Sequence, residues 1–339
     1  MKPTDFAFYL TDFLSKYLPG TAGLSPNTIM SYRDAFSLFL EFCSENKKIK
    51  PEKLSMKDLS RKLVEEYLDW LEKDRNCITS TRNVRLAAFH SFCRYFQTEF
   101  PDYILSAQQI LSIPIKRTKK LSVEYITLDA MKLLLEKPSK TTRQGRRDIV
   151  LLSLRYDSGA RVQELADLKV RDIRTASPST VKLTGKGNKN RIVPLMNPMS
   201  ELLKQYLEEN NLTGTHALEY PLFSNRSKEK LTRAGIAYIV KKYADQTIKQ
   251  SPELFPNRLS PHCFRHSKAM HLLQSGVNLI YIRDLLGHAD IQTTEVYARI
   301  DGEMKRKALE KNTHNIVSDK MPEWQCNAGL MKWLKNLGK

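Results

Sequence analysis

One segment of this 339-residue chain alternates apolar and polar residues around a glycine-rich turn: TVKLTGKGNKNRIVPL, Thr180 to Leu195. A period of two is the mark of a strand, so the segment predicts strand, tight turn, strand. Elsewhere the apolar residues recur every three or four positions, as they do on helices. A lone hairpin among helices cannot build a large sheet. The predicted fold class is therefore mainly α, with a small antiparallel sheet in the second half.

Residues 1 to about 110 read as helices throughout. Phe6, Leu10, Phe13 and Leu14 form one stripe, and Ile29, Tyr32, Phe36, Phe39 and Cys43 form another. Ser25-Pro26 is a cap followed by proline at the first helical position. Ser60 and Ser80 mark two further helix starts, ahead of Leu63, Tyr67, Trp70, Leu71 and of Val84, Ala87, Cys93, Phe96. A helical bundle over 1–115 is the expected result, with its aromatic stripes as core. Arg33, Lys47, Lys48, Lys57, Arg82 and Arg85 lie on polar faces that either meet phosphates or are simply solvated. IPIKRTKKLS, Ile113 to Ser122, carries a proline and four cations without helical period, which predicts a basic linker at 116–124. Helical runs at 128–136, 146–157, 199–209, 231–246, 262–275 and 279–286 then surround the hairpin in a second domain, 125–315. The tail, 316–339, has a short apolar stripe of Leu330, Trp333, Leu334 and Leu337.

Charge separates these parts. Lysine and arginine number 55 against 37 acidic residues, a formal +18. Residues 1–115 hold 15 basic and 14 acidic side chains, whereas 116–339 hold 40 and 23. Such a field attracts polyanions through steering and counterion release, so DNA or RNA is the leading partner and an acidic membrane surface the second. No apolar run approaches the ~20 residues of a membrane span. The opening MKPTDFAFYLTDF mixes acidic with apolar residues and lacks a small-residue cleavage site, unlike a signal peptide. Five scattered cysteines (Cys43, Cys77, Cys93, Cys263, Cys326), without a CxxC pair, suggest neither a disulfide framework nor a zinc ribbon, and fit a reducing cytosol.

Four segments of the second domain carry polar residues suited to chemistry. In SGARVQEL, Arg161 follows a Gly-Ala turn at a helix start, and Glu164 lies three residues on, placed to buttress it. A guanidinium donates two parallel hydrogen bonds to two phosphate oxygens, although an ordinary helix N-terminus has the same look. In TGKGNKNR, Lys186 sits at the hairpin tip between Gly185 and Gly187; lying between strands, it is no P-loop. A lysine there can donate a proton if burial or neighbouring cations lower its pKa, while Lys189 and Arg191 are expected to be solvated. In SPHCFRHSKAM, His262 and Arg265 share a helix face and His262 and His266 are one turn apart, which admits a metal pair, an anion clamp or a plain surface turn. The metal option lacks the zincin glutamate and a third ligand, and Arg265 would repel a dication. In LLGHADIQTTEVYARI, His288 follows Gly287, and Tyr297 follows a polar turn with caps at Asp290 and Thr293.

In this order and spacing, ARVQEL, TGKGNKNRIVPL, SPHCFRHSKAMHLLQSG and LLGHADIQTTEVYARI resemble the four signature segments of tyrosine recombinases, the integrase family of phage integrases and Xer-type resolvases. The resemblance spans about 125–305, and the first domain resembles the family's SAM-like core-binding domain in position and size. It implies the tyrosine recombinase catalytic fold and a site-specific recombinase or integrase of the kind mobile elements use for integration and transposition. Carried over by position, it makes Arg161 and Arg265 a phosphate-binding pair, Lys186 the general acid and Tyr297 the nucleophile of a 3′-phosphotyrosyl intermediate. His262 and His288 hydrogen-bond the scissile phosphate or assist proton transfer, Glu164 supports Arg161, and His266 and Cys263 are assigned to packing. No cofactor and no metal is called for.

The resemblance further implies double-stranded DNA held between the two domains. It implies a homo-oligomer, a tetramer on paired sites, with the tail docking either on a neighbouring protomer or back on its own domain. An accessory or companion recombinase belongs to the same expectation, as does a bacterial, nucleoid-associated, cytoplasmic location without a membrane partner. Two alternatives stand beside it: relaxation of a single duplex like a type IB topoisomerase, and a DNA-binding regulator that keeps the fold without catalysis.

Overall fold

Thr4, Ser25 and Ser60 each accept a hydrogen bond from the backbone N–H three residues on, at Ala7, Thr28 and Leu63, and each opens a helix. The computed structural model describes residues 3–118, 124–255, 262–300 and 328–337. The chain divides into two compact units, Met1–Leu121 and Ser122–Lys339.

The first unit contains α1 (Asp5–Asp12), a π-helical continuation through Phe13–Thr21, α2 (Pro26–Lys47), α3 (Arg61–Lys73), α4 (Thr79–Glu99) and α5 (Ile104–Leu111). Pro19 lies inside the π-helical stretch, where its missing N–H interrupts the α pattern. The helix assigned to Ser80 starts one residue earlier, with Ile78 at the N-cap and no side-chain cap. Phe6, Phe13, Phe36, Phe39, Phe89, Phe92 and Phe96 are all but fully buried, so the aromatic stripes do form core. Phe92 contacts Phe13, Phe36 and Phe96 at centroid distances of 5.2, 5.3 and 5.0 Å, within the range where edge-to-face pairs add to burial. Two acidic residues of α1 tie the bundle: Tyr103 Oη donates to Asp5 (3.0 Å) and Tyr95 Oη to Asp12 (2.7 Å). Cys43 and Cys93 are buried free thiols, pushed up to about 12 by burial. The stretch expected to be a linker is pinned at its start, since Arg82 donates to the Pro114 carbonyl and Asn83 bonds both backbone groups of Lys116. Residues 119–123 of that stretch lie outside the described residues.

The second unit contains α6 (Leu128–Glu136), α7 (Arg143–Ser158), α8 (Val162–Asp167), β1 (Ile173–Arg174), β2 (Thr180–Thr184), β3 (Asn190–Pro194), α9 (Asn197–Glu209), α10 (Arg233–Ile248), α11 (Cys263–Gln274), α12 (Leu279–Leu286) and α13 (Gln292–Ile300). The sheet is antiparallel in the order β1-β2-β3, with Val181 opposite Val193 and Leu183 opposite Arg191. Along β2, Val181 and Leu183 turn into the core and Lys182 and Thr184 turn out. The two-residue β1 was not foreseen, because two residues carry no period. Leu151, Leu152 and Leu154 of α7 pack in one core with Leu165, Val181, Val193, Phe223 and Ile236. A smaller cluster joins α11, α12 and α13 through Ala269, Met270, Leu273, Ile282, Leu286 and Tyr297.

Among the described residues, no helix is long and apolar enough to cross a membrane. A C-terminal helix, Ala328–Asn336, leaves Met331, Trp333 and Leu334 exposed, as is Leu337 just beyond it.

Phe92→Ala removes a ring packed on every side and should cost about 3–5 kcal/mol. Denaturant titration of the full chain, followed by far-ultraviolet circular dichroism, should show an earlier transition for the first unit.

Candidate active site

Four local backbone solutions converge at one end of the second unit. Helix α7 ends at Gly159, whose φ of +59° is left-handed and whose missing Cβ would lie 2.8 Å from Leu286. Two residues later Arg161 is the N-cap of α8, and Glu164, at its third position, reaches back to accept from the Arg161 N–H at 2.7 Å. The β2–β3 turn approaches the same carboxylate: a Cβ on Gly185 would stand 3.0 Å from Glu164 Oε1. Helix α11 starts with His262 at its N-cap, and α12 ends at Gly287 with φ +63°.

Arginines join these segments. Arg161 Nη1 donates to Glu164 Oε1 at 2.8 Å, and its Nη2 faces the Gly287 carbonyl at 3.4 Å. Arg191 grips the other side of Glu164 with two parallel bonds, 2.8 and 2.7 Å, and donates from Nε to the Leu285 carbonyl at 2.9 Å. Arg265 is buried and donates to the Gly159 carbonyl at 2.8 Å and to that of Leu286. Arg191 corrects the expectation of a solvated hairpin cation: its side chain is 11% exposed and serves as a structural partner of Glu164.

The electrostatics follow from this crowding. Burial works against the Glu164 charge, yet Arg191 and then Arg161 outweigh it and hold the carboxyl at about 2. Burial, then Arg161 and Arg191, push the Arg265 guanidinium down to about 9, which leaves it cationic at neutral pH. His288 is held at about 4 by burial and then by Arg265 and Arg161, so it is neutral at physiological pH. His262 keeps an exposed edge, and its basicity falls through desolvation of the rest and through Arg155, Arg265, Arg233 and Arg161. Burial raises the Tyr297 phenol, and Arg265 and Arg161 pull against that rise.

Of the residues predicted for the site, Arg161, Glu164, Arg265, His288 and Tyr297 come together here with His262 at the rim. Lys186 opens the single turn Lys186–Asn188 at the hairpin tip, next to Gly185 and therefore beside the Arg161–Glu164 pair; its side chain lies outside what is described. Two contacts were not anticipated. His266, assigned to packing, places Nδ1 2.8 Å from the Tyr297 hydroxyl. Thr294, fully buried, hydrogen-bonds His288 Nδ1 at 2.9 Å and so fixes the orientation of that ring. The HCFRH spacing was the one available signal for His266, and it pointed to a metal. The ring centroids of His262 and His266 are 6.2 Å apart, and among the described residues no group of three His, Cys, Asp or Glu side chains is placed to hold a metal ion.

The chain is similar to known proteins. The phage integrase family matches residues 124–304, and the phage integrase N-terminal SAM-like domain matches residues 10–99. A chain of Sinorhizobium fredii under the provisional name integrase/recombinase y4rC is 32% identical over 336 residues, 99% of each chain. Tyrosine recombinase XerC of Thermodesulfovibrio yellowstonii is 32% identical over 302 residues, 88% of this chain and 93% of that one. The crystal structure of the XerH site-specific recombinase bound to palindromic difH substrate, a post-cleavage complex, shares the fold with a TM-score of 0.65 at 22% identity, over 84% of this chain and 79% of that one. The chain belongs to the phage integrase family of tyrosine recombinases and is a tyrosine-type site-specific recombinase.

Because the folded pKa of Glu164 lies below its ordinary 4.5, its contribution to stability is full above that value and is lost as pH falls toward 2. The shift corresponds to about 3 kcal/mol. Glu164→Gln should therefore melt with a shallower pH dependence over that window. At neutral pH it should lose ~3–5 kcal/mol, because Arg191 stays buried without its counter-charge. Differential scanning calorimetry across the pH range checks both.

Proposed function

We propose that this recombinase cuts and rejoins DNA through a covalent bond between Tyr297 and a 3′-phosphate, with Arg161, Arg265, His262 and His288 holding the scissile phosphate and Lys186 protonating the leaving oxygen. The observation that carries the reading is the placement of the buried Tyr297 side chain, its hydroxyl against His266 and its phenol under the influence of Arg265 and Arg161, beside the neutral imidazole of His288. Attack on a phosphodiester adds negative charge to its nonbridging oxygens. Donors already fixed by protein bonds lower that barrier without reorganising. Arg265 is fixed by two carbonyls and Arg161 by Glu164, so both present spare N–H groups in set directions.

One phosphorus–oxygen bond forms as another breaks, so no heavy-atom group is lost from the protein and the DNA. Tyr297 Oη bonds to phosphorus, the bond to the 5′-oxygen breaks, and that oxygen leaves as a hydroxyl with the Lys186 proton. The phosphotyrosyl linkage conserves the energy of the broken phosphodiester. A 5′-hydroxyl of another strand reverses the step, so exchange needs neither ATP nor a divalent ion.

Double-stranded DNA is the substrate, and the protein acts in the cytoplasm where that DNA lies. The excess positive charge of residues 116–339 supports the assignment. The exposed Trp333, Leu334 and Leu337 supply an apolar face for a neighbouring protomer in an assembly on paired sites.

Incubation with a nicked duplex bearing the target sequence, first located by footprinting, should give a denaturant-resistant protein–DNA adduct. Tyr297→Phe should give none, and Arg161→Ala or Arg265→Ala should slow adduct formation by about 10²–10³-fold. Relaxation of one plasmid without dependence on paired sites would replace recombination by topoisomerase-like action, and binding without any adduct would leave a regulator. Trp333→Ala should leave single-site binding intact and weaken the paired-site complex in gel-shift titrations.

A further inference from the structure

The mechanism so far leaves the phenolic proton of Tyr297 without a destination. The Tyr297 hydroxyl lies 2.8 Å from His266 Nδ1, and the two ring centroids are 5.7 Å apart. His266 belongs to α11, one residue after Arg265, while Tyr297 belongs to α13, so the contact spans two elements of the site.

We infer that His266 is the general base of strand cleavage, accepting the proton of Tyr297 as its oxygen bonds to phosphorus. This rests on the nucleophile assignment above. The phenol is protonated before reaction, since burial raises its pKa, and His266 is neutral because burial, His262 and Arg265 hold it at about 4. A neutral ring facing a phenolic O–H accepts through Nδ1 and carries its own hydrogen on Nε2. The charged and titratable groups that face it are His262 and Arg265 on its own helix, Tyr297 on α13, and His288, whose basicity it in turn lowers.

Burial, and then His262 and Arg265, make His266 a poor base until DNA arrives. A phosphodiester seated on Arg161 and Arg265 brings a negative charge beside the ring and offsets them, so basicity rises when substrate is bound. During the step the Tyr297 O–H bond breaks, Nδ1 gains the proton, the Oη–phosphorus bond forms, and the 5′-oxygen departs with the proton of Lys186. The resulting imidazolium lies next to the phosphotyrosyl anion and returns its proton to Oη when a 5′-hydroxyl attacks.

The test is single-turnover adduct formation by the full chain on the nicked, footprinted duplex. His266→Asn keeps an acceptor oxygen near the Nδ1 position without a useful basicity, and His266→Ala keeps neither. Both variants should bind DNA as wild type does and react about 10²–10⁴-fold more slowly, the range general-base catalysis supplies. Imidazole in the buffer should restore His266→Ala. A 5′-phosphorothiolate, whose thiolate leaves without a proton, should rescue Lys186→Ala and leave His266→Ala slow. Wild-type rate in His266→Asn would reduce the contact to positioning and overturn the inference, as would a slow His266→Ala that ignores imidazole. Failure of the nucleophile assignment looks different: wild type forms no adduct, or Tyr297→Phe still forms one.

Discussion

A buried carboxylate shared by two guanidinium groups is the constraint from which the rest of this site follows. Glu164 pairs with Arg161 three residues before it and with Arg191 on β3, which joins the start of α8 to the hairpin. Arg191 extends the chain of bonds to the end of α12 through the Leu285 carbonyl, and Arg265 runs from α11 to the carbonyls of Gly159 and Leu286. Segments distant in the sequence are thus fastened to one another by cations whose partners are mostly backbone carbonyls. Because a guanidinium has five N–H donors, each arginine can hold the scaffold and still face a phosphate.

The single carboxylate also sets the balance of charge. It neutralises one of the arginines and leaves the others in excess, which suits an anionic substrate. Imidazolium groups would add repulsion to that excess. Burial and the neighbouring cations instead keep His266 and His288 neutral, so they contribute donors and acceptors without charge. Thr294 and Tyr297 then occupy one nitrogen of each ring, which determines what the other can offer.

Much of the fold was legible in local pattern. The helices at 128–136 and 279–286 were readable from apolar spacing, and the hairpin from alternation around GKGN, because each carries its period within a few residues. The Arg161–Glu164 contact is also local, three residues apart on one turn. What escaped notice depends on sequence distance. Arg191 looks like a solvated hairpin cation until Glu164, 27 positions away, folds against it. His266 finds Tyr297 across 31 positions. The basic run after Ile113 reads as tether from composition, yet the Asn83 amide, 33 residues earlier, holds Lys116 by both backbone groups. The gathering of the four motif segments was foreseen through family resemblance, since no periodicity brings them together.

Gly159 performs three tasks with no side chain: it ends α7 in a left-handed turn, lets Leu286 pack against its Cα, and offers its carbonyl to Arg265. Each task alone tolerates some replacement, but together they reduce the usable alphabet at this position to a single letter. Directed evolution toward new target sites should find this residue immovable. Tolerance belongs instead to the open polar surface of helices such as α10, where Tyr238 stands free of the core.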